Sequence, residues 1–319
     1  MIMTLTVFTP TYNRKELLRR VYESLCLQTL EDFKWLIVDD GSVDGTGEAV
    51  KEWQAGAGFE IVYHYRENGG KMRAHNTGVS LCDTELFVCL DSDDIFPPYA
   101  VEKIVKKWQE FKDCHFCMKQ SAQRAGMVAY KGTVDGGLDR FMKTDAYRSA
   151  EGFGSGNGTV KNLGLPFPAS DIQRGYSTLR GLYLNGFKGE TTLVFCTGLL
   201  AKHPFPEIEG EKYVPEDYVY DQIDEECPLL VMDEVLTLCE LMEGGYTDRA
   251  AVLRRENPVA WRMYYEQRMK LQRWSLLKIK YISHYLRFCE VTGERPDTGI
   301  AERIFGMLGA FVLKLLNKT

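Results

Sequence analysis

Trp35-Leu36-Ile37-Val38-Asp39-Asp40-Gly41-Ser42 decides how the first third of this chain is read. Four apolar residues in a row, without alternation, suit a strand buried on both faces. The run breaks into two carboxylates, a glycine and a serine, which is turn chemistry. Upstream, Leu5 to Phe8 is a short β-rich run, and Arg14 to Leu27 carries Leu17, Leu18, Val21 and Leu25 at helical spacing. Downstream, Thr46 to Trp53 reads as helix, Glu60 to Tyr65 as strand and Lys71 to Leu81 as helix. Glu85 to Leu90 is strand again, and it too ends in acid, Asp91-Ser92-Asp93-Asp94. The order β-α-β-α-β-α-β predicts an α/β fold, a mostly parallel sheet flanked by helices.

In open α/β sheets, ligands bind outside the carboxyl ends of the strands. That rule gathers Thr9, Asp39, Asp40, Asp91 and Asp93 around one crevice. The carboxylates of residues 91–94 repel one another unless a cation is present. Hard divalent ions such as Mg²⁺ or Mn²⁺ take oxygen ligands and share them with substrate phosphates. A departing diphosphate needs such neutralisation. An acidic turn that merely caps a helix reads equally well from these residues. The second acidic turn, Asp39 to Thr46, can accept hydrogen bonds from a base or a ribose, or be a plain βα turn. Lys71, Arg73, His75 and Asn76 form a third group that could meet phosphate or base, or be a solvated helix face.

The bulk numbers narrow the class. The chain has 319 residues, 45% hydrophobic and 26% charged, as in ordinary globular proteins. Its net charge of -6 argues against general nucleic-acid binding. No apolar run approaches the roughly 20 residues that span a bilayer. Met1 to Phe8 has no basic leader and runs directly into strand, so it reads as the first strand and the protein as cytoplasmic. Nine scattered cysteines suggest buried free thiols rather than a disulfide framework. Cys114-His115-Phe116-Cys117 has CxxC spacing but no second pair.

Pro97 to Phe111 reads as a helix, and residues 119 to 189 are less regular. Gly152-Phe153-Gly154-Ser155-Gly156-Asn157-Gly158 is a flexible stretch, either linker or substrate lid. Thr191 to Thr197 and Pro228 to Leu238 are strand candidates, with a turn at Pro204-Phe205-Pro206. From Asn257 the character changes. Residues 259 to 288 are helical, aromatic and basic, and Ile300 to Leu316 is a second amphipathic helix. These helices pack on the core or on a partner in a homo-oligomer, or lie peripherally on an anionic membrane surface. The expected division is a catalytic-type domain over 1–250 and a C-terminal helical extension over 251–319.

Four motifs in order carry a family resemblance: Thr9-Pro10-Thr11-Tyr12-Asn13-Arg14; Val38 to Thr46; Glu67 to Lys71 with Asn76-Thr77-Gly78; and Leu90-Asp91-Ser92-Asp93-Asp94. Together they closely resemble the family 2 glycosyltransferases of GT-A fold. The likeness is firm over about residues 4 to 100. It continues loosely to about 240 through Lys188-Gly189-Glu190, Phe205 to Glu211 and Val214-Pro215-Glu216-Asp217, which look like bacterial enzymes of surface or capsular polysaccharide synthesis. The resemblance implies a nucleotide pocket lined by Thr9, Pro10, Tyr12 and Arg14, with Asp39 or Asp40 facing the base. It implies Lys71 and Asn76 along the donor, Asp91 and Ser92 near the ribose or sugar, and Asp93 on a Mn²⁺ or Mg²⁺ ion. Glu216-Asp217 resembles the family's catalytic pair; Asp217 is favoured as general base, with Glu216 kept open. His75 stands where the family usually has arginine.

The expected reaction is a single inverting displacement from a nucleotide-diphosphate sugar, with UDP the commonest donor nucleotide, to a hydroxyl of a glycan or lipid-linked acceptor. Two other enzyme classes fit poorly. A nucleotidyltransferase or a dinucleotide-binding oxidoreductase needs glycines directly after the first strand, and Thr9 to Arg14 has none. A non-catalytic nucleotide-sugar- or glycan-binding protein on the same fold is the remaining alternative; the intact Asp91, Asp93, Glu216 and Asp217 speak against it.

Overall fold

Strand β1 (Leu5–Thr11) lies between β2 (Phe33–Asp39) and β4 (Leu86–Cys89), and β3 (Glu60–Tyr65) flanks β2; all three pairings are parallel. Helices α1 (Lys15–Leu25), α2 (Thr46–Gly56) and α3 (Lys71–Leu81) connect them, and α4 (Ala100–Asp113) follows β4. The computed structural model describes residues 3–114, 123–149, 160–240 and 249–315. The Gly152–Gly158 stretch and Cys117 of the CxxC pair lie outside them. By contacts the chain divides into Met1–Pro204 with Tyr220–Leu241, and Phe205–Val219 with Met242–Thr319.

The first unit holds the whole sheet, in the order β3-β2-β1-β4-β8-β5-β9-β7, with β6 beside β5. The four N-terminal strands are the predicted parallel sheet. The sheet becomes mixed at β8 (Thr191–Cys196), which runs antiparallel between β4 and β5 (Gly126–Val134). β9 (Leu229–Leu238) is parallel to β5, while β6 (Val160–Asn162) and β7 (Tyr176–Ser177) are short antiparallel edges. β5 falls in the region whose sequence looked irregular. Lys131 and Gly132 interrupt its apolar run, so no strand pattern stands out.

β1 is three residues longer than its apolar run. The extra residues pair with β2 alone, Pro10 opposite Val38 and Thr11 opposite Asp39, because the β4 ladder stops at Phe8–Cys89. Phe8 bonds toward β4 and Thr11 toward β2, so Pro10 turns its N–H-less side to the position past the end of β4. Its missing donor therefore leaves no ladder bond unmade. Two glycines allow close approach. A Cβ on Gly78 of α3 would stand 2.4 Å from the Phe8 ring, and one on Gly126 of β5 would stand 1.8 Å from the Val194 carbonyl oxygen. The core beneath is aromatic, with Tyr22 of α1 stacked on Trp53 of α2 at 5.0 Å and Trp35 fully buried beside them.

The second unit has its own core. Helices α6 (Pro258–Leu271) and α7 (Leu276–Thr292) bury Tyr265, Met269, Ile282, Tyr285 and Phe288. Glu211 accepts from Val259 N and Ala260 N at 2.7 and 2.8 Å, placing a carboxylate on the positive N-terminal end of α6. Asn257 Oδ1 accepts from Lys212 N and Tyr213 N, so residues 205–219 are tied to the start of that helix. Helix α8 (Ile300–Leu315) meets α7 through Gly306 and Gly309, where a Cβ would come within 2.5 Å of Ile282 and Ser283. Helix α5 (Asp217–Glu226) has its first three residues in the second unit and the rest in the first. Among the described residues no helix is long and apolar enough to cross a membrane.

Candidate functional site

Parallel strands bring their carboxyl ends to one edge of the sheet, so the turns after β1, β2 and β4 are neighbours. The first two are clamped together. Asn13 N donates to Ser42 Oγ, Val43 N donates to Asn13 Oδ1, and Lys15 N donates to Asp44 Oδ2, at 2.8 to 2.9 Å. Asn13 has φ +50°, a left-handed conformation that asparagine tolerates better than most residues. This leaves Tyr12 projecting, 49% exposed, while Thr9 and Pro10 are buried in β1. Thr9 Oγ1 accepts from Trp35 Nε1 at 3.0 Å.

Asp39 and Asp40 are both buried. Asp39 accepts from Ser42 N at 2.7 Å and from the Tyr63 hydroxyl at 2.6 Å. Asp40 accepts from Arg66, from Gly69 N and from Gly70 N, so it builds the turn that starts α3. A carboxylate has about four acceptor positions. Asp40 fills them within the protein, whereas Asp39 makes two bonds.

The turn after β4 places its three carboxylates beside three cations. Lys71 Nζ is 2.8 Å from Asp91 Oδ1, Arg14 Nη1 is 2.9 Å from Asp93 Oδ2, and Lys131 Nζ is 2.7 Å from Asp94 Oδ2. Ser92 Oγ accepts from Arg14 at 3.3 Å, and Arg20 Nη2 donates to the Asp93 carbonyl at 3.1 Å. Burial would raise the Asp91 carboxyl, but Lys71 and Lys131 outweigh it and hold it below the ordinary carboxylate range. Burial pushes Asp94 up to about 6, with Lys131 pulling against it and Asp91 adding to the rise. Burial also works against the Lys131 ammonium, and Asp94 and Asp91 more than offset it.

Thr9, Pro10, Tyr12, Arg14, Asp39, Asp40, Lys71, Asn76, Asp91, Ser92 and Asp93 all belong to the first unit. In the third group, Arg73 donates to Gly69 O, and His75 is buried edge-on against Phe8 and Phe87 at 5.6 and 5.3 Å. His75 is thus a core residue. Glu216 and Asp217 lie in the second unit, where Asp217 Oδ2 is 2.8 Å from Arg268 Nη2. Partial burial raises the Asp217 carboxyl, Arg268 pulls it back, and Glu216 raises it further.

Three further residues escaped the sequence reading. Lys131 sits in an unrecognised strand. Arg20 is buried on the apolar face of α1, bridging Asp93 and Glu240; its only signal was a charge at helical spacing among Leu18, Val21 and Leu25. Thr11 Oγ1 is buried with no hydrogen-bond partner, an orphan that a bound ligand could satisfy. Among the described residues no three His, Cys, Asp or Glu side chains form a ready metal cage. The donors in the turn are all oxygen, and Mg²⁺-like ions are commonly held by one or two carboxylates plus substrate phosphates. The turn fits that mode.

A four-stranded parallel half joined to antiparallel strands, with an acidic turn after the fourth strand, is the arrangement of a GT-A fold. Residues 6–142 match the family described as Glycosyl transferase family 2. The glycosyltransferase GlyA of Streptococcus pneumoniae serotype 4 is 34% identical over 108 residues, 34% of this chain and 15% of that protein. The first curated relatives are matched over 15 to 35% of their own length. Among solved structures, S. aureus TarS 1–349 in complex with UDP-GlcNAc superposes with a TM-score of 0.53 at 17% identity, covering 96% of this chain and 79% of that one. The mannosyltransferase PcManGT from Pyrobaculum calidifontis, in complex with GDP-Man and Mn²⁺, gives 0.50 at 16% identity, covering 98% and 81%.

Proposed function

We propose that this protein is an inverting glycosyltransferase that moves a sugar from a nucleoside-diphosphate donor, UDP in the first instance, to a hydroxyl of a glycan or lipid-linked acceptor in bacterial polysaccharide synthesis. The observation that carries the reading is the turn 91–94, with three carboxylates facing Lys71, Arg14 and Lys131 at the carboxyl end of β4. Such a surface accepts a diphosphate and its counter-ion together. The exposed Tyr12 ring offers a stacking face for the base, and Asp39, with acceptor capacity left, serves its N–H better than Asp40. Asp91 and Ser92 would lie toward the ribose or sugar, and Asn76 along the donor. Arg14 and Lys71 would turn from their carboxylates to the phosphate oxygens. Asp93 would hold Mn²⁺ or Mg²⁺, which when bound neutralises charge building on the diphosphate. The acceptor oxygen forms its bond to the anomeric carbon as the bond to the diphosphate breaks, inverting that carbon. Asp217, with Glu216 as the other choice, takes the acceptor's proton.

Thermal melts with UDP, GDP, CMP and dTDP, each with and without Mn²⁺, test the reading. Ligands that bind only the native state raise its stability. A Mn²⁺-dependent rise with one nucleotide is expected, and Asp93→Ala is expected to abolish its metal dependence. No rise with any nucleotide in the folded protein would return the chain to the non-catalytic alternative. An Asp93→Ala variant stabilised as strongly by nucleotide with Mn²⁺ would remove the metal from Asp93.

The C-terminal helices belong to the proposal as the membrane-facing part of a 251–319 extension. On α8, Ile300, Ile304, Met307 and Leu308 are exposed at i, i+4, i+7 and i+8, opposite the glycine face that meets α7. Residues 249–319 hold 14 lysines and arginines against six acidic residues. An apolar stripe in a basic segment suits an anionic lipid surface. Co-sedimentation with phosphatidylglycerol vesicles, greater than with neutral ones and lost in Ile304→Glu/Leu308→Glu, is the expected outcome. Equal recovery with and without vesicles, or a double substitution that changes only self-association, would replace lipid by a second copy of the chain.

A further inference from the structure

The Asp39 carboxylate receives one donor on each oxygen. Ser42 N reaches Oδ1 at 2.7 Å from within the same turn, and the Tyr63 hydroxyl reaches Oδ2 at 2.6 Å from the neighbouring strand β3. In the parallel ladder Asp39 stands opposite Tyr65 and Ile37 opposite Tyr63, so the Tyr63 ring spans one same-face step to meet the carboxylate. Helix α2 leaves room for the hydroxyl, since a Cβ on Gly47 would stand 3.1 Å from it. Burial, then the bond to Asp39, push the Tyr63 phenol well above its ordinary range, so it keeps the proton it donates. We infer that Tyr63 is a positioning residue that sets base preference in the proposed donor site: by holding Oδ2 it fixes the Asp39 carboxylate so that it accepts a ring N–H, which favours uracil over cytosine. The inference rests on the donor-site reading above and on the place of Asp39 in it.

The physical reason lies in how the two bases differ. Uridine and cytidine diphosphates share the ribose and the diphosphate, and both bring a flat ring to Tyr12. Along one edge, uracil presents N3–H between two carbonyls, whereas cytosine presents a bare N3 lone pair beside an amino group. A carboxylate only accepts, so it pairs with the N3–H and repels the lone pair. That preference lasts only while the carboxylate is held. The terminal torsion of an aspartate is soft, and Ser42 N alone would leave Oδ1 as a pivot. With Tyr63 on Oδ2, both oxygens and hence the plane of the group are set. Losing the hydroxyl therefore spoils the base contact and spares the diphosphate contacts proposed for Arg14 and Lys71. A merely loosened sheet would weaken every nucleotide alike, and this separates positioning from packing.

The test uses the full chain with Tyr63→Phe, Asp39→Asn and the double variant, each titrated with UDP and with CDP in the presence of Mn²⁺ by calorimetry. Phenylalanine keeps the ring and removes only the donor, at a half-buried position on an edge strand, so the chain still folds. Wild type is expected to prefer UDP. Tyr63→Phe is expected to lose about 10-fold in UDP affinity, the scale of a hydrogen bond to a charged group, while its CDP affinity stays close to wild type. In the Asp39→Asn background the same substitution should weaken UDP no further, because the carboxylate through which the hydroxyl acts is gone. Unchanged UDP affinity in Tyr63→Phe, equal losses for UDP and CDP, or a full further loss in the Asp39→Asn background overturns the inference. A wild type that binds UDP no better than CDP, yet is stabilised by some nucleotide, overturns the inference alone. A wild type stabilised by none overturns the donor-site reading and this inference with it.

Discussion

Gly126→Ala is expected to destabilise the protein by roughly 4 kcal/mol or more, in the exceptional tail of single substitutions. The added methyl would lie 1.8 Å from the Val194 carbonyl oxygen and 2.8 Å from the Phe195 Cα. Both are backbone atoms of β8, so no side chain can swing aside. β8 is itself held on its other edge by β4, and β5 by β9, which leaves neither strand room to retreat. The φ of +144° adds strain for any side chain. Gly186→Ala is the matched comparison. Its φ is +107°, but nothing lies within 4 Å of the added carbon, so strain alone, about 1–3 kcal/mol, is expected. Urea unfolding of both variants measures the difference. Equal midpoints would mean that the close approach of β5 to β8 contributes nothing.

Asp217→Asn is expected to leave nucleotide binding intact and to lower turnover by about 10²- to 10⁴-fold, the usual share of a general base. Asparagine keeps the volume and can still meet Arg268, but it cannot take a proton. Glu216→Gln separates the two candidates, and turnover surviving in Asp217→Asn but not in Glu216→Gln would move the base to Glu216. The acid limb of the pH profile gives an independent reading. Partial burial raises the Asp217 carboxyl in spite of Arg268. A base of raised pKa takes up its proton at higher pH, so activity should fall away on acidification sooner than an ordinary carboxylate allows. Replacing Arg268 by Gln should move that limb to still higher pH, since the guanidinium is what restrains the rise. A limb that stays put would mean that the titrating base is not next to Arg268.

Much of this was legible in the chain, because its signals are local. Each of β1 to β4 is a short apolar run with a helix beside it, and each acidic turn follows its strand within one or two residues. What escaped detection depends on partners far along the chain. Nothing near Thr191 says that β8 will enter between strands ending at Cys89 and beginning at Gly126. Lys131 reads as a break in a strand until Asp94 is found 2.7 Å away. Thr9 and Pro10 stand in the first motif, and their burial, in a strand that runs on to Thr11, does not show in the residue types. From the sequence His75 is open between a phosphate or base contact and a solvated helix face; it is neither exposed nor solvated but packed edge-on against Phe8 and Phe87, because residue type alone does not mark which face of α3 is buried.

The position of β8 also bears on how the protein is made. β4 emerges from synthesis about a hundred residues before the strand that covers its free edge, since Leu86 pairs with Cys196. Until then a buried strand, Leu86-Phe87-Val88-Cys89, has one unpaired side, the kind of edge that recruits other chains. The stretch matching the family, 6–142, ends inside that interval. Cut there, it would hold β4 and β5 without the strand that joins them. A nascent chain stalled before residue 190 should therefore be a client for chaperones, and soluble expression should begin only with fragments that include β8.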